Sequence, residues 1–78
     1  MRRFTVEKGK RYEARVTLGF VQRLATNEMV AGKFMEVGFT DVVVIGSGRA
    51  RHATGLWPHH DATAEIPNEI DHIHEIVA

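Results

Sequence analysis

The sequence predicts a small α+β domain in which an antiparallel sheet has a helix packed on one face. Three patterns predict this class: two early stretches in which apolar and polar residues alternate, one amphipathic helical stretch, and four consecutive β-branched residues after it. We expect one domain, residues 1–78. The predicted order is strand, strand, helix, strand, strand, and then a helix or an edge strand.

Two strands are predicted before the helix. Phe4 and Val6 alternate with polar neighbours, and apolar residues recur at every second position from Tyr12 to Phe20. Gly9 lies between the two stretches and favours a tight turn. We therefore expect an antiparallel hairpin.

The connection 19–25 is either a loop or an extra helical turn. Its side chains Phe20, Val21 and Leu24 are more apolar than a simple connection requires. The part of this connection from Phe20 to Arg23 is therefore a candidate for recognition.

The next stretch predicts the helix. Thr26 or Asn27 can cap its first turn by accepting a hydrogen bond from a free N–H group. Gly38 can adopt the left-handed conformation that ends a helix, with Phe39 placed to contact the last turn. The predicted core face consists of Val30, Ala31, Phe34 and Met35.

The residues after the helix predict a second hairpin. The run from Val42 to Ile45 is apolar throughout, which predicts a central strand buried on both faces. Gly46, Ser47 and Gly48 then favour a turn, and the residues up to Trp57 form the returning strand. Pro58 ends that strand because proline has no N–H group to donate.

Residues 66–77 fit two structures. Ile70, Ile73 and Val77 have helical spacing, which slightly favours a helix. Isoleucine, valine and histidine are only moderate helix formers, so an edge strand is the alternative.

The predicted order resembles ferredoxin-like folds, including the small peptidoglycan-binding domains of cell-division proteins known as SPOR. The resemblance is carried by RVTLGF at 15–20, VGF at 37–39 and GLW at 55–57, over about half of the chain. It implies a fold and no function.

Charge is balanced overall but divided along the chain. Residues 1–15 carry six Lys or Arg against two Glu, a net +4, and residues 61–78 carry five acidic residues, a net −5. The two ends are expected to attract each other, within one chain or across a homodimer. Nucleic-acid binding is not expected from this balance.

Composition narrows the remaining options. The chain has 44% apolar residues, no long apolar run and no cysteine, so we expect a soluble, cytoplasmic protein without a membrane segment, disulfides or thiolate metal sites. A chain of this length has a small core, which again favours a homodimer.

Histidines suggest one candidate site. If residues 70–77 form a strand, His72 and His74 share a face and can bind a metal, zinc first, with His59 or His60 as further ligands. In a helix the two rings would point about 200° apart and could not share an ion. This alternative hypothesis describes a His-ligated metalloprotein, such as a zinc-dependent hydrolase or an engineered catalyst.

Catalytic motifs are not recognisable. Gly46, Ser47 and Gly48 lack the remaining glycine and the following helix of a dinucleotide-binding loop, because Arg51 occupies the next glycine position. Ser47 is the only serine, and no histidine or acid is placed beside it. No catalytic residue or cofactor is therefore predicted by the leading hypothesis.

The leading hypothesis is a non-catalytic binding or assembly module. It would present two apolar connections, 20–23 and 57–61, to a protein or small-molecule partner, and we expect it to be a homodimer. Trp57 has an alternative role at the end of its strand, as a cap on the core. The candidate binding residues are Phe20, Arg23, Trp57, His59 and His60.

Overall fold

The strands form two antiparallel sheets, which confirms the α+β class. The computed structural model describes residues 2–77, and Met1 and Ala78, the ends of the predicted domain, lie outside the described residues. In chain order the elements are β1 (Arg3–Val6), β2 (Arg11–Thr17), the 3-10 turn η1 (Gln22–Leu24), α1 (Asn27–Val37), β3 (Thr40–Ser47), β4 (Ala50–Leu56), β5 (Ala62–Glu65) and β6 (Ile70–Glu75).

The larger sheet has the order β3-β4-β2-β6, and β1 and β5 form a separate two-stranded sheet. The second predicted hairpin is confirmed, because β3 and β4 pair in antiparallel register from Thr40 opposite Leu56 to Ser47 opposite Ala50. The predicted first hairpin is wrong, because β1 pairs with β5. β2 is already paired with β4 on one edge and β6 on the other, so it has no free edge for β1.

The prediction that β3 is a central strand is also wrong, because β3 lies at the edge of its sheet. Val42 and Val44 pack on the covered face, while Val43 and Ile45 are exposed on the uncovered face. Four apolar residues in a row therefore belong to a sheet that is covered on one side only. Asp41, with φ 52°, lies where the register of this strand shifts and forms an ion pair with Arg11.

The helix begins and ends as the sequence predicts. The Thr26 hydroxyl accepts a hydrogen bond from the Met29 N–H at 3.1 Å. Gly38 has φ 131°, and the Phe39 N–H donates to the Phe34 carbonyl at 3.1 Å, which closes the last turn. No helix within residues 2–77 is long and apolar enough to span a membrane.

The core face of α1 is narrower than predicted. Val30 and Ala31 are buried and Phe34 is half-buried, but Met35 is 54% exposed. Each residue turns the helix by about 100°, so the position after Phe34 already points away from the sheet. Met35 is therefore not a core residue.

Residues 70–75 form the edge strand, so the helix alternative is wrong. β6 pairs with β2, with Ile73 opposite Ala14. β4 occupies only one edge of β2, so the other edge can pair with residues 70–75. This pairing stabilises a strand more than the moderate helix propensity of these residues stabilises a helix. The connection 19–25 contains η1, which fits the predicted extra turn.

Two groups of buried side chains lie on the covered face of the larger sheet. The aromatic core contains Val6, Tyr12, Phe39 and Trp57. The aliphatic core contains Val16, Leu18 and Val30. Phe34 of α1 packs against both cores, and β1 adds Phe4 to the aromatic core, with its ring 5.6 Å from that of Tyr12.

Candidate functional site

A groove of about 740 Å³ opens beside the aliphatic core, between α1 and the segment that leads into β6. Its volume falls in the range of ligand-binding clefts. Buried residues of the aliphatic core form its floor. Its outer walls are lined by Val21, Leu24, Met29, Val37, Pro67 and Ile70.

The walls of the groove expose large apolar side chains to solvent. Val21 is 82% exposed, Leu24 76%, Met29 62% and Val37 67%. Single exposed apolar residues are ordinary, whereas several that line one concave surface mark an interaction site. These four residues therefore make the groove the candidate binding site.

Local hydrogen bonds shape the η1 wall of the groove. The Gln22 side-chain oxygen accepts the Gly19 N–H at 2.8 Å, and the Gln22 carbonyl accepts the Ala25 N–H at 2.9 Å. These bonds close a short turn at each end of η1. Val21 and Leu24 are exposed on this turn.

Arg51 fastens this wall to the rest of the molecule. Its side chain is only 5% exposed, and its guanidinium donates to the Gly48 carbonyl at 3.1 Å, to Asn27 Oδ1 at 2.9 Å and to the Arg23 carbonyl at 3.0 Å. Three segments, the β3–β4 turn, the first turn of α1 and η1, are thereby joined through one buried cation. The rigid fork of an arginine suits this role.

The predicted connection 20–23 lies at this wall. Phe20 is exposed, and the guanidinium carbon of Arg23 lies 4.4 Å from the centre of its ring, in a cation–π contact. Val21 and Gln22 of the same connection line the groove. The structure therefore places Val21 and Gln22 of this candidate binding segment in the wall of the groove, whereas the predicted binding residues Phe20 and Arg23 do not line it.

Charged side chains mark the rim of the groove. Lys33 and Glu36 are both exposed, one turn apart on α1, with Nζ 3.7 Å from Oε2. Glu69 lies on the opposite rim. Exposed pairs of this kind contribute little to stability but can orient a partner.

The connection 57–61 is folded against the aromatic core, away from the groove. Trp57 is 7% exposed, and its indole N–H donates to the His60 carbonyl at 2.8 Å. The His59 ring lies 5.2 Å from the indole in an edge contact. Asp61 accepts the backbone N–H of Lys8 at 2.8 Å. Trp57 therefore has the core-capping role that the sequence left as its alternative, and His59 and His60 are exposed beside it.

The histidine pair of β6 lies on the uncovered face of the sheet. The rings of His72 and His74 are 5.0 Å apart, and Nε2 of His74 lies 3.6 Å from Oε1 of Glu13. The strand places the two rings on one face, as the hypothesis of a His-ligated metal site requires. However, within residues 2–77 no group of three or more His, Asp or Glu side chains could hold a metal ion. His59 and His60 do not join the pair.

No family model, curated protein or solved structure matches this chain. The resemblance to SPOR domains therefore stays a prediction, and function must be inferred from the groove itself.

The sequence indicates the η1 side of the groove, whereas the helix side emerges only from the structure. Met29, Lys33 and Val37 recur at i, i+4 and i+8, which is a second stripe beside the core face of α1. The two apolar residues in that stripe were a usable signal. The third wall, Pro67 and Ile70, could not be placed until residues 70–75 were known to form a strand.

Proposed function

We propose that the protein is a non-catalytic binding module and that the groove is its recognition surface for an apolar patch on a protein partner. One observation carries the proposal: the four exposed apolar side chains Val21, Leu24, Met29 and Val37 line the same concave surface. Burying such a surface against a partner is favourable, at about 25 cal/mol per Å² of apolar area.

Openness of the groove favours a protein over a small molecule. Sites for small ligands enclose most of the ligand surface. Here the wall residues are themselves largely exposed, so a small ligand would remain in contact with water on one side. A broad apolar patch on a second protein can cover the walls as well as the interior.

We also propose that the larger sheet is ferredoxin-like. This fold would explain why the groove is open. In such folds a second helix packs beside the first, between the third and fourth strands of the sheet. In this chain the corresponding segment, between β4 and β6, contains the strand β5. A surface that a second helix would cover is then left free for a partner.

The test is a fluorescence titration with 1-anilinonaphthalene-8-sulfonate (ANS), a dye that brightens in apolar sites. We compare the wild type with Met29→Glu, which places a charge in the groove, and with Met35→Glu. Met35 is a matched control, because it is an exposed methionine of the same helix outside the groove.

We expect Met29→Glu to remove most of the ANS enhancement and Met35→Glu to retain it, at submicromolar protein concentration. Circular dichroism checks that both variants fold. Equal ANS enhancement in all three proteins would contradict the proposal, because the dye would then be binding elsewhere.

A further inference from the structure

We infer that the groove is occupied by a second copy of this chain, in a symmetric homodimer. This inference rests on the proposed function and names the partner. It follows from three features of the described residues: the surface area of the chain, the spacing of apolar residues along α1, and the charges beside them.

Surface area is the first feature. The chain exposes 5348 Å², whereas a compact monomer of 8.8 kDa is expected to expose about 4,800 Å². The radius of gyration, 11.9 Å, is close to the value of about 11.5 Å expected for a compact chain of this length. An extended shape therefore does not account for the excess. The excess belongs to the whole surface, including the exposed Val43 and Ile45 outside the groove, and in total it approaches the area of about 600 Å² per partner at the lower end of specific interfaces.

Spacing along α1 makes the surface self-complementary. Met29 and Val37 flank Lys33 at equal distances, about 6 Å along the helix axis on each side. If a two-fold axis passes near Lys33, the helices of two copies run antiparallel, and Met29 of each copy lies opposite Val37 of the other. Symmetric dimers require this kind of reciprocal contact.

The charges of the same flank fit that arrangement. Lys33 and Glu36 are exposed and form a loose pair within one chain, at 3.7 Å. In the antiparallel arrangement Glu36 of the second copy lies about 4.5 Å along the axis from Lys33, within reach of its ammonium group. The same axis brings the two Lys33 side chains together, and each lysine can contact the glutamate of either copy, so the two glutamates offset the repulsion between the lysines.

Sedimentation equilibrium over a range of about 1 to 200 µM tests the inference on the full chain. We expect the wild type to dimerise with a dissociation constant in the micromolar range, because the interface is small. Met29→Glu should weaken association about 10-fold or more, since it places a charge opposite the apolar Val37 of the second copy. Met35→Glu should dimerise like the wild type.

A charge exchange makes the test more specific. Lys33→Glu places like charges on both helices and should weaken the dimer, by about fivefold. The double variant Lys33→Glu, Glu36→Lys restores opposite charges and should recover most of the lost affinity. Failure of the double variant to recover would overturn the antiparallel contact through these residues.

Two results would overturn dimerisation through the groove without deciding whether the groove binds apolar groups. A wild type that stays monomeric up to the highest concentration shows that the second copy is not the partner, and the ANS comparison then tests the groove independently. A dimer that tolerates Met29→Glu places the contact on another surface, such as the exposed Val43 and Ile45 of β3.

Discussion

The two halves of the covered sheet face differ in how they are closed. Over the aromatic core, β1 contributes Phe4 and Val6, and the rings of Tyr12, Phe39 and Trp57 meet in edge contacts. Over the aliphatic core, α1 and η1 leave the groove uncovered. The same sheet and the same helix therefore support one closed half and one open half.

Under the proposed function, this difference assigns stability to the closed half and recognition to the open half. The closed half excludes water from aromatic side chains, and such burial contributes most of the favourable free energy of folding. The open half leaves apolar side chains exposed, so they contribute little to folding but can stabilise a complex. Substitutions in the two halves are therefore expected to have different consequences.

Removal of the Trp57 indole should destabilise the closed half. Trp57 contacts Phe39 at 5.1 Å between ring centres and packs against Gly38, where an added Cβ would lie 2.9 Å from the indole. We predict that Trp57→Ala lowers the free energy of unfolding by about 3–5 kcal/mol, since it leaves a cavity in a small core. Urea unfolding followed by circular dichroism measures this.

Trp57→Phe provides the matched comparison, because it keeps an aromatic ring and loses the hydrogen bond to His60. Trp57→Phe should lower the free energy of unfolding clearly less than Trp57→Ala does. If Trp57→Ala were as stable as the wild type, the aromatic core would not be the part that holds the fold together.

The second prediction concerns the link between the two halves. Arg51→Met keeps an unbranched side chain but removes three hydrogen bonds, and it leaves the Arg23 carbonyl and Asn27 Oδ1 without their partner. We predict a loss of about 2–3 kcal/mol in the free energy of unfolding measured in urea, because the partly buried Asn27 Oδ1 and Arg23 carbonyl are left unpaired. ANS enhancement should also fall, since η1 forms a wall of the groove.

Arg49→Met is the control for that experiment. Arg49 is exposed and its side chain donates one hydrogen bond, to the Leu18 carbonyl at 3.0 Å. The substitution should cost about 1 kcal/mol or less. Equal losses of unfolding free energy in the two variants would contradict the role of Arg51 in joining the three segments.

Local signals in the sequence predicted β1 to β4 and α1, but they missed β5, slightly favoured a helix where β6 forms, and predicted the strand pairing poorly. The Thr26 cap, the Gly38 terminus and the glycine turn at 46–48 each act over a few residues, so the residue types alone predict them. Pairing of β1 with β5 joins Arg3 to Glu65 across most of the chain. No local pattern encodes such a contact. Because β4 and β6 occupy both edges of β2, β1 pairs with β5 instead.

The candidate site was predicted in part for the same reason. The connection 20–23 is conspicuous in the sequence because of its apolar residues, and Val21 and Gln22 of it line the groove, but the predicted binding residues Phe20 and Arg23 do not. Trp57 looked equally conspicuous, but its role depended on whether the turn at His59 and His60 folded back over it. Such a choice is made by tertiary packing and cannot be decided from residue types.

A groove that serves recognition should not be required for folding, and Leu24→Ser tests this most directly. Leu24 lines the groove and is 76% exposed. The measurement is the free energy of unfolding in urea at submicromolar protein concentration, where a dimer would be dissociated. We predict a change within about 0.5 kcal/mol, as for an ordinary surface substitution. A loss of about 2 kcal/mol or more, typical of a buried leucine, would contradict the recognition role.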